Sequence, residues 1–249
     1  MDDAVFKTMF NEGQVPKYKC PACRKEALAP VDFVCCESAE TLSNKENPFW
    51  DDLNNEYVFR MTLFCQSCKQ TIFSHGDGFL DQDHELDGDD EWKSIWTRYF
   101  RPQAFFPSLV FIDFPSGTPE EVRKNLAVAA SLYHSSPASA CNSLRMAAEE
   151  ILTSLGAPKP NVGKFIPFGT RIKHLSETSN EYVLLDAIRW LGNDGSHSGS
   201  VINHSDAEQA FRIVDLLVEE TYSERKKMVQ ELAKQINESK GPVRGVFNR

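Results

Sequence analysis

The chain has 249 residues, 41% apolar and 25% charged, and carries a formal net charge of −9. That composition describes a globular protein of one large or two modest domains, and no apolar run approaches the roughly 18 residues of a membrane span. The acidic balance excludes a generally basic, nucleic-acid-coating surface. The acidic start, Met-Asp-Asp-Ala, lacks the basic and apolar regions of a signal peptide, so a cytoplasmic location is expected. Residues 1–104 hold 11 Lys+Arg against 19 Asp+Glu, while residues 105–249 hold 16 against 17, an asymmetry that suggests two units.

Two thiol turns mark the first unit. Cys20-Pro-Ala-Cys23 and Cys65-Gln-Ser-Cys68 are separated by 41 residues. Each turn sets two thiolates side by side, and two turns complete a tetrahedral four-sulfur shell for a Zn2+ ion. Such a shell leaves no open position for substrate, so the expected zinc is structural. A strand-like alternation from Val31 to Cys35 follows the first turn. Tyr57 to Phe64 leads into the second turn, and Thr71 to Phe73 leaves it. Knuckle, strand, strand, knuckle is the plan of a small β zinc ribbon over residues 1–80. Cys35 and Cys36 read as small apolar residues of a strand, with a role as alternative ligands left open. His75 and His84 read as surface residues, and Glu37 to Leu53 as a polar loop excursion.

Residues 81–117 read as an acidic and aromatic linker. Asp81 to Glu91 has seven acidic residues in eleven but lacks the register of a calcium loop, so it reads as solvated. The aromatic run from Trp92 to Phe106 is expected to pack between the units.

Residues 118–249 carry helical signals. Thr118-Pro119-Glu120-Glu121 has the pattern of a capping box with proline in the first turn. Val122, Leu126, Ala129, Ala130 and Tyr133 form an apolar stripe behind it. Ser136-Pro137 opens a second helix that runs to Gly156. After a Pro/Gly-rich loop, a short helix is expected from Thr170 to about Glu177, and another from Asn180. Ser205-Asp-Ala-Glu208 has capping-box spacing and opens a long helix towards Glu238, with a frayed tail from Gly241. Amphipathic helices with short connections make a bundle. The expected fold class is α+β, a small β ribbon followed by an all-α bundle.

Arg189, Asn193 and His197 recur every four residues, which places them on one helix face. Arg145 and Glu149 share a face of the second helix by the same spacing. Across two packed helices these groups would form either a buried polar network or a binding or catalytic site. His134, His174 and His204 read as surface or capping residues, and Cys141 as a core thiol.

The order of these motifs, Arg145-x3-Glu149 followed by Arg189-x2-Gly192-Asn193-x3-His197, resembles the bacterial family called domain of unknown function 4145. The likeness covers roughly residues 105–225, and a preceding zinc ribbon is familiar in that family. The family is in turn similar to the HEPN superfamily of helical bundles. The resemblance implies a HEPN-like bundle that forms a homodimer, a protein partner in a phage-defence or nucleic-acid-processing complex, and RNA or DNA as a ligand. Many HEPN proteins are metal-independent ribonucleases. Their histidine moves a proton at the ribose 2′-hydroxyl and their arginine steadies phosphate charge. By that pattern His197, Asn193 and Arg189 would be catalytic, with Arg145 and Glu149 supporting them. Here, however, Gly192 stands where the pattern has its arginine. Arg189 lies eight residues before His197, about 12 Å along a continuous helix. The expected function is therefore a non-catalytic binding, assembly or regulatory module, with a dimeric HEPN-type endoribonuclease as the alternative.

Overall fold

Apolar alternation in the first half of the chain produces one antiparallel sheet. Its strands are β1 (Phe10–Asn11), β2 (Ala29–Glu37), β3 (Glu56–Phe64), β4 (Thr71–Leu86) and β5 (Trp92–Phe106), in the spatial order β1-β5-β4-β3-β2. The structure is a computed structural model, and it describes residues 2–86, 92–159, 165–194 and 202–242.

The sheet is strongly curled. Its two edge strands would lie about 19 Å apart if it were flat, yet the rings of Phe10 on β1 and Phe33 on β2 are 6.3 Å apart. Phe33, Phe59 and Phe100 complete an aromatic cluster on the concave face, with centroids 4.9–5.5 Å apart. Two glycines in β4 make room for it. A Cβ at Gly78 would sit 2.7 Å from the Phe100 ring, and one at Gly76 would overlap the Arg101 carbonyl oxygen. The β4–β5 register shifts at His75/Gly76, a bulge that adds local bend.

The helical half comprises α2 (Glu120–Leu132), α3 (Pro137–Ser154), α4 (Phe168–Ile172), α5 (Asn180–Asp194), α6 (His204–Tyr222) and α7 (Glu224–Ser239), and a short α1 (Ala39–Asn44) lies in the first half. α3 is the central helix. Its Ala140, Leu144, Ala147, Ala148, Ile151 and Leu152 are buried, and it packs on α2, α5 and α6. The three alanines in this set let the neighbouring helices approach closely.

The two halves share one core. The N-terminal turn, Asp3–Phe6, precedes the first strand and inserts Phe6 among Phe111, Tyr133 and Phe211, with ring centroids at 5.2, 5.5 and 6.1 Å. Asp3 pairs with Arg212 of α6 at 2.7 Å. At the far end of β5, the Phe105 ring lies 5.0 Å from His134.

Several expectations need correction. The 81–117 segment is not a linker through its first two thirds: β4 and β5 run through it as a long hairpin, because its alternating Trp, Tyr and Phe residues pair against the acidic strand. The aromatics therefore divide, with Phe100 and Phe105 buried and Trp92, Trp96 and Phe106 exposed. The 1–80 boundary likewise cuts through β4, and residues 3–6 pack with the helices. Part of the 37–53 excursion is helical, with Ser38 capping α1 at Thr41 N (3.2 Å). Pro119, not Thr118, is the N-cap of α2, and no side chain caps it. The short fourth helix spans Phe168–Ile172. The capping box of α6 is Asn203/Asp206, two residues earlier than expected, and Ser223 interrupts the long helix before α7. His134 is buried, although His174 is exposed as expected.

Candidate functional site

The first cluster is the cysteine set. Cys20, Cys23, Cys65 and Cys68 converge, with all four sulfurs within 4.8 Å of one another. Cys20–Cys68 and Cys23–Cys65 are 3.5 and 3.6 Å apart. A regular tetrahedral shell with metal–sulfur bonds near 2.3 Å would hold sulfurs about 3.8 Å apart, so the set fits one metal ion.

The two knuckles are built alike. The residue after each second cysteine, Arg24 or Lys69, takes a left-handed conformation with φ of 57° or 65°. Its amide donates to the carbonyl of the first cysteine, at 3.0 Å in one turn and 2.9 Å in the other. The amides of Cys20 and Cys65 in turn donate to Glu26 O and Gln70 O, both at 2.9 Å.

The thiols respond unequally to this crowding. The Lys25 backbone amide holds the Cys23 thiol down to about 7. Cys68 accepts from the Gln70 amide, which alone would lower it, but desolvation and the three neighbouring thiols push it up to about 12. Four sulfurs this close ionise together only around a cation, which a divalent metal supplies.

The knuckle also reaches the segment that joins β5 to α2. Arg24 donates through Nε and Nη2 to the Asp113 carboxylate at 3.0 and 3.1 Å, and through Nη1 to Val110 O at 3.2 Å. Cys35 and Cys36 lie on β2 and are not part of the four-sulfur cluster. Cys35 instead accepts from Arg98 Nη1 at 3.2 Å.

The second cluster lies where α3, α4 and α5 meet. Arg145 Nε is 3.4 Å from Glu149 Oε1, and Glu149 Oε2 is 3.7 Å from Arg171 Nη1. Arg171 is only 2% exposed, and its charge is matched by Pro158 O (3.1 Å), Glu149 O (3.1 Å) and Thr153 Oγ1 (2.6 Å). Arg189 donates through Nε to Asp186 Oδ1 at 2.8 Å and lies over the Trp190 ring at 4.4 Å.

Two glycines admit the arginine stems. A Cβ at Gly192 would be 2.8 Å from both Cβ and Cδ of Arg145, and one at Gly169 would be 3.0 Å from Arg189 Nη1. Arg145, Lys173 and Arg189 thus line one open cleft of about 340 Å³, with Phe168 beneath and Phe165 at its lip. Phe165 is 82% exposed.

Of the expected stripe, Arg145, Glu149 and Arg189 come together in this region. Asn193 lies on α5, but its side chain is outside the described residues, and so is His197. Arg171 and Lys173 were not anticipated. Arg171 had a signal: at i+3 from Phe168 and next to Ile172, it falls on the apolar face of a short helix, where a charge must find partners.

Among the described residues no helix is long and apolar enough to cross a membrane. No curated protein and no solved structure matches the chain. Family models match both halves. Residues 8–106, from just before β1 to the end of β5, match Domain of unknown function (DUF8608). The helical half, at residues 127–239, matches Domain of unknown function (DUF4145), in agreement with the likeness carried by Arg145, Glu149 and Arg189.

Proposed function

We propose that the chain is a non-catalytic binding or assembly module of a prokaryotic nucleic-acid-processing or phage-defence system. In this reading a structural Zn2+ closes the cysteine shell, and a HEPN-like bundle forms a cytoplasmic homodimer. The observation that carries it is the internal use of the arginine stripe. Arg145, Glu149 and Arg171 form one chain of ion pairs, and Arg189 is held by Asp186. Arg171 ties α4 to α3 through Glu149, and the Arg145 and Arg189 stems pack against Gly192 of α5 and Gly169 of α4. The four-sulfur shell supports the same reading, since it has no open coordination position.

The test is incubation of the purified, metal-loaded chain with single-stranded and hairpin RNA, alone and with the products of its neighbouring genes. Intact RNA in every mixture is expected. Cleavage that disappears in His197→Ala would sink the proposal.

A second reading, a dimeric metal-independent ribonuclease using His197, is favoured by one observation. The Arg145 stem fills the space above Gly192, so an arginine stands beside the position where the family pattern has one. It lines a cleft with Lys173 and Arg189, in which a phosphate would meet positive charge. This reading expects cleavage that survives chelator and is lost in both His197→Ala and Arg145→Ala.

A further inference from the structure

The β4–β5 hairpin outruns the sheet that supports it. β3 covers β4 only as far as Phe79, and β1 covers β5 only at Phe100 and Tyr99. Beyond those points Leu80–Leu86 and Trp92–Arg98 pair only with each other. Seven residues per strand make an arm about 23 Å long. Two-stranded ribbons are marginal in water and gain stability from a third strand.

The outer edge of β5 has room for that strand. β1 runs antiparallel to β5 for two residues and then turns away at Asn11, where Gln14 N donates to Asn11 O at 3.0 Å. A groove of about 480 Å³ continues along β5 from that turn, lined by Asn11, Glu12, Asp83, Trp96 and Arg98 among others. Arg98 anchors its base through Glu12 at 3.0 Å. The opposite sheet edge, β2, is blunted by Pro30 and by a bulge between Pro30 and Asp32. The stretch from Trp92 to Arg98 has neither proline nor bulge.

The side chains select the occupant. Trp92 and Trp96 share one face of the arm and are 67% and 55% exposed, large rings able to stack on cationic side chains. Asp81 and Asp83 lie on the other face, paired in register with Thr97 and Ile95. On the paired strands Asp81, Asp83 and Glu85 stand against Lys93 and Arg98, and Arg98 is already matched by Glu12. The remaining charge is acidic and favours a cationic strand.

We propose that the open edge of β5 from Trp92 to Arg98 docks an extended Lys/Arg-bearing segment of a partner protein, added to the sheet as a strand where β1 stops. The ladder would supply affinity and the tryptophans and carboxylates would supply selectivity. This inference stands on the β-rich half and is independent of either reading of the arginine cleft.

The test uses the full metal-loaded chain and a ten-residue peptide of repeating Lys-Lys-Thr-Thr, whose lysines face both sides of the arm, followed by tryptophan fluorescence and by amide hydrogen exchange. Saturable binding with new protection confined to 92–98 is expected, weakening at least tenfold in Trp92→Ala/Trp96→Ala. Both rings are exposed, so that variant should keep the parent circular dichroism. If it does not, Asp81→Asn/Asp83→Asn replaces it, with the same loss expected. A peptide with Glu in place of Lys, and a Lys-Thr peptide with N-methylated backbone, should fail to bind. Equal binding of either control overturns the proposal, as does protection elsewhere, absence of binding at millimolar peptide, or arm-to-arm self-association.

Discussion

The β-rich half and the helical half solve the same problem by different means. The helices bury apolar stripes that repeat every three or four residues, so each helix contributes a share of the core by itself. The sheet has a smaller apolar interior, and it closes at one end by four sulfurs and in the middle by a clasp of phenylalanines set over Gly76 and Gly78. A fold that depends on a few many-partner residues should fail at single positions, whereas a bundle should lose stability gradually. The largest effect is therefore expected at the four-cysteine cluster. Cys20→Ser should lose its bound metal and the hydrogen-exchange protection of β2 and β3, while α3 and α6 stay protected. Zinc binding in small metal domains supplies about 10–16 kcal/mol, more than such a sheet holds in reserve. Full metal content in the variant, measured by elemental analysis, would show the ligand assignment to be wrong.

The contrast can be sharpened at the seam, where Phe6 belongs to the helical core although it precedes the first strand. Phe6→Ala should cost about 3–5 kcal/mol, the usual range for a buried phenylalanine. If the loss appears in the unfolding of the helices followed by far-ultraviolet dichroism, the N-terminal turn is part of the bundle. If only the sheet is affected, the halves are separable where the structure joins them.

His134 probes the same seam with protons. Burial among Phe105, Phe111 and Tyr133, and secondarily the nearby His204, push it down to about 3 from its ordinary 6.5. The depressed value belongs to a base, so the folded state keeps it neutral while the unfolded state takes up a proton. Its stabilising contribution is complete above pH 6.5 and is lost as pH falls towards 3. Between pH 7 and pH 5 this one group should remove about 2 kcal/mol. His134→Leu should lack that component, read as the difference between urea midpoints of the two proteins at each pH. Identical pH dependence in both would mean that His134 is hydrated.

These residues also show what sequence could and could not reveal. The four cysteines were legible because a metal site needs only spacing, and α3 and α5 were legible because their apolar period is local. The capping box of α6 was misplaced because Ser205-Asp-Ala-Glu208 and Asn203-His-Ser-Asp206 overlap, and only the Asn203 backbone angles decide between them. The β4–β5 arm was hidden because its acidic strand resembles a solvated tail until the Trp/Tyr strand pairs with it. The arginine cleft was half legible. Arg145, Glu149 and Arg189 stood out by spacing, but Arg171 acts through Pro158 O and Thr153, which depends on how α4 is laid against α3.

The smallest predicted effect bears most directly on function. Gly192 is required because the Arg145 stem occupies the place of its side chain: a methyl group at position 192 would lie 2.8 Å from both Cβ and Cδ of Arg145. Gly192→Ala must then push α3 from α5 or displace Arg145, at a cost of about 1–3 kcal/mol. Arg145→Ala removes the Cδ contact but keeps Cβ, so it should relieve the penalty in part, and Arg145→Gly should relieve it fully. A double-mutant cycle by chemical denaturation measures the coupling, expected at about 0.5 kcal/mol or more for residues in contact. Strict additivity would mean that some other constraint keeps residue 192 small. Coupling would mean that positions 145 and 192 have space for one long side chain between them. On that account Arg145 fills the space at position 192 from the neighbouring helix while tied to Glu149, and the choice between a structural role and a phosphate site turns on whether a ligand can draw Arg145 away from that carboxylate.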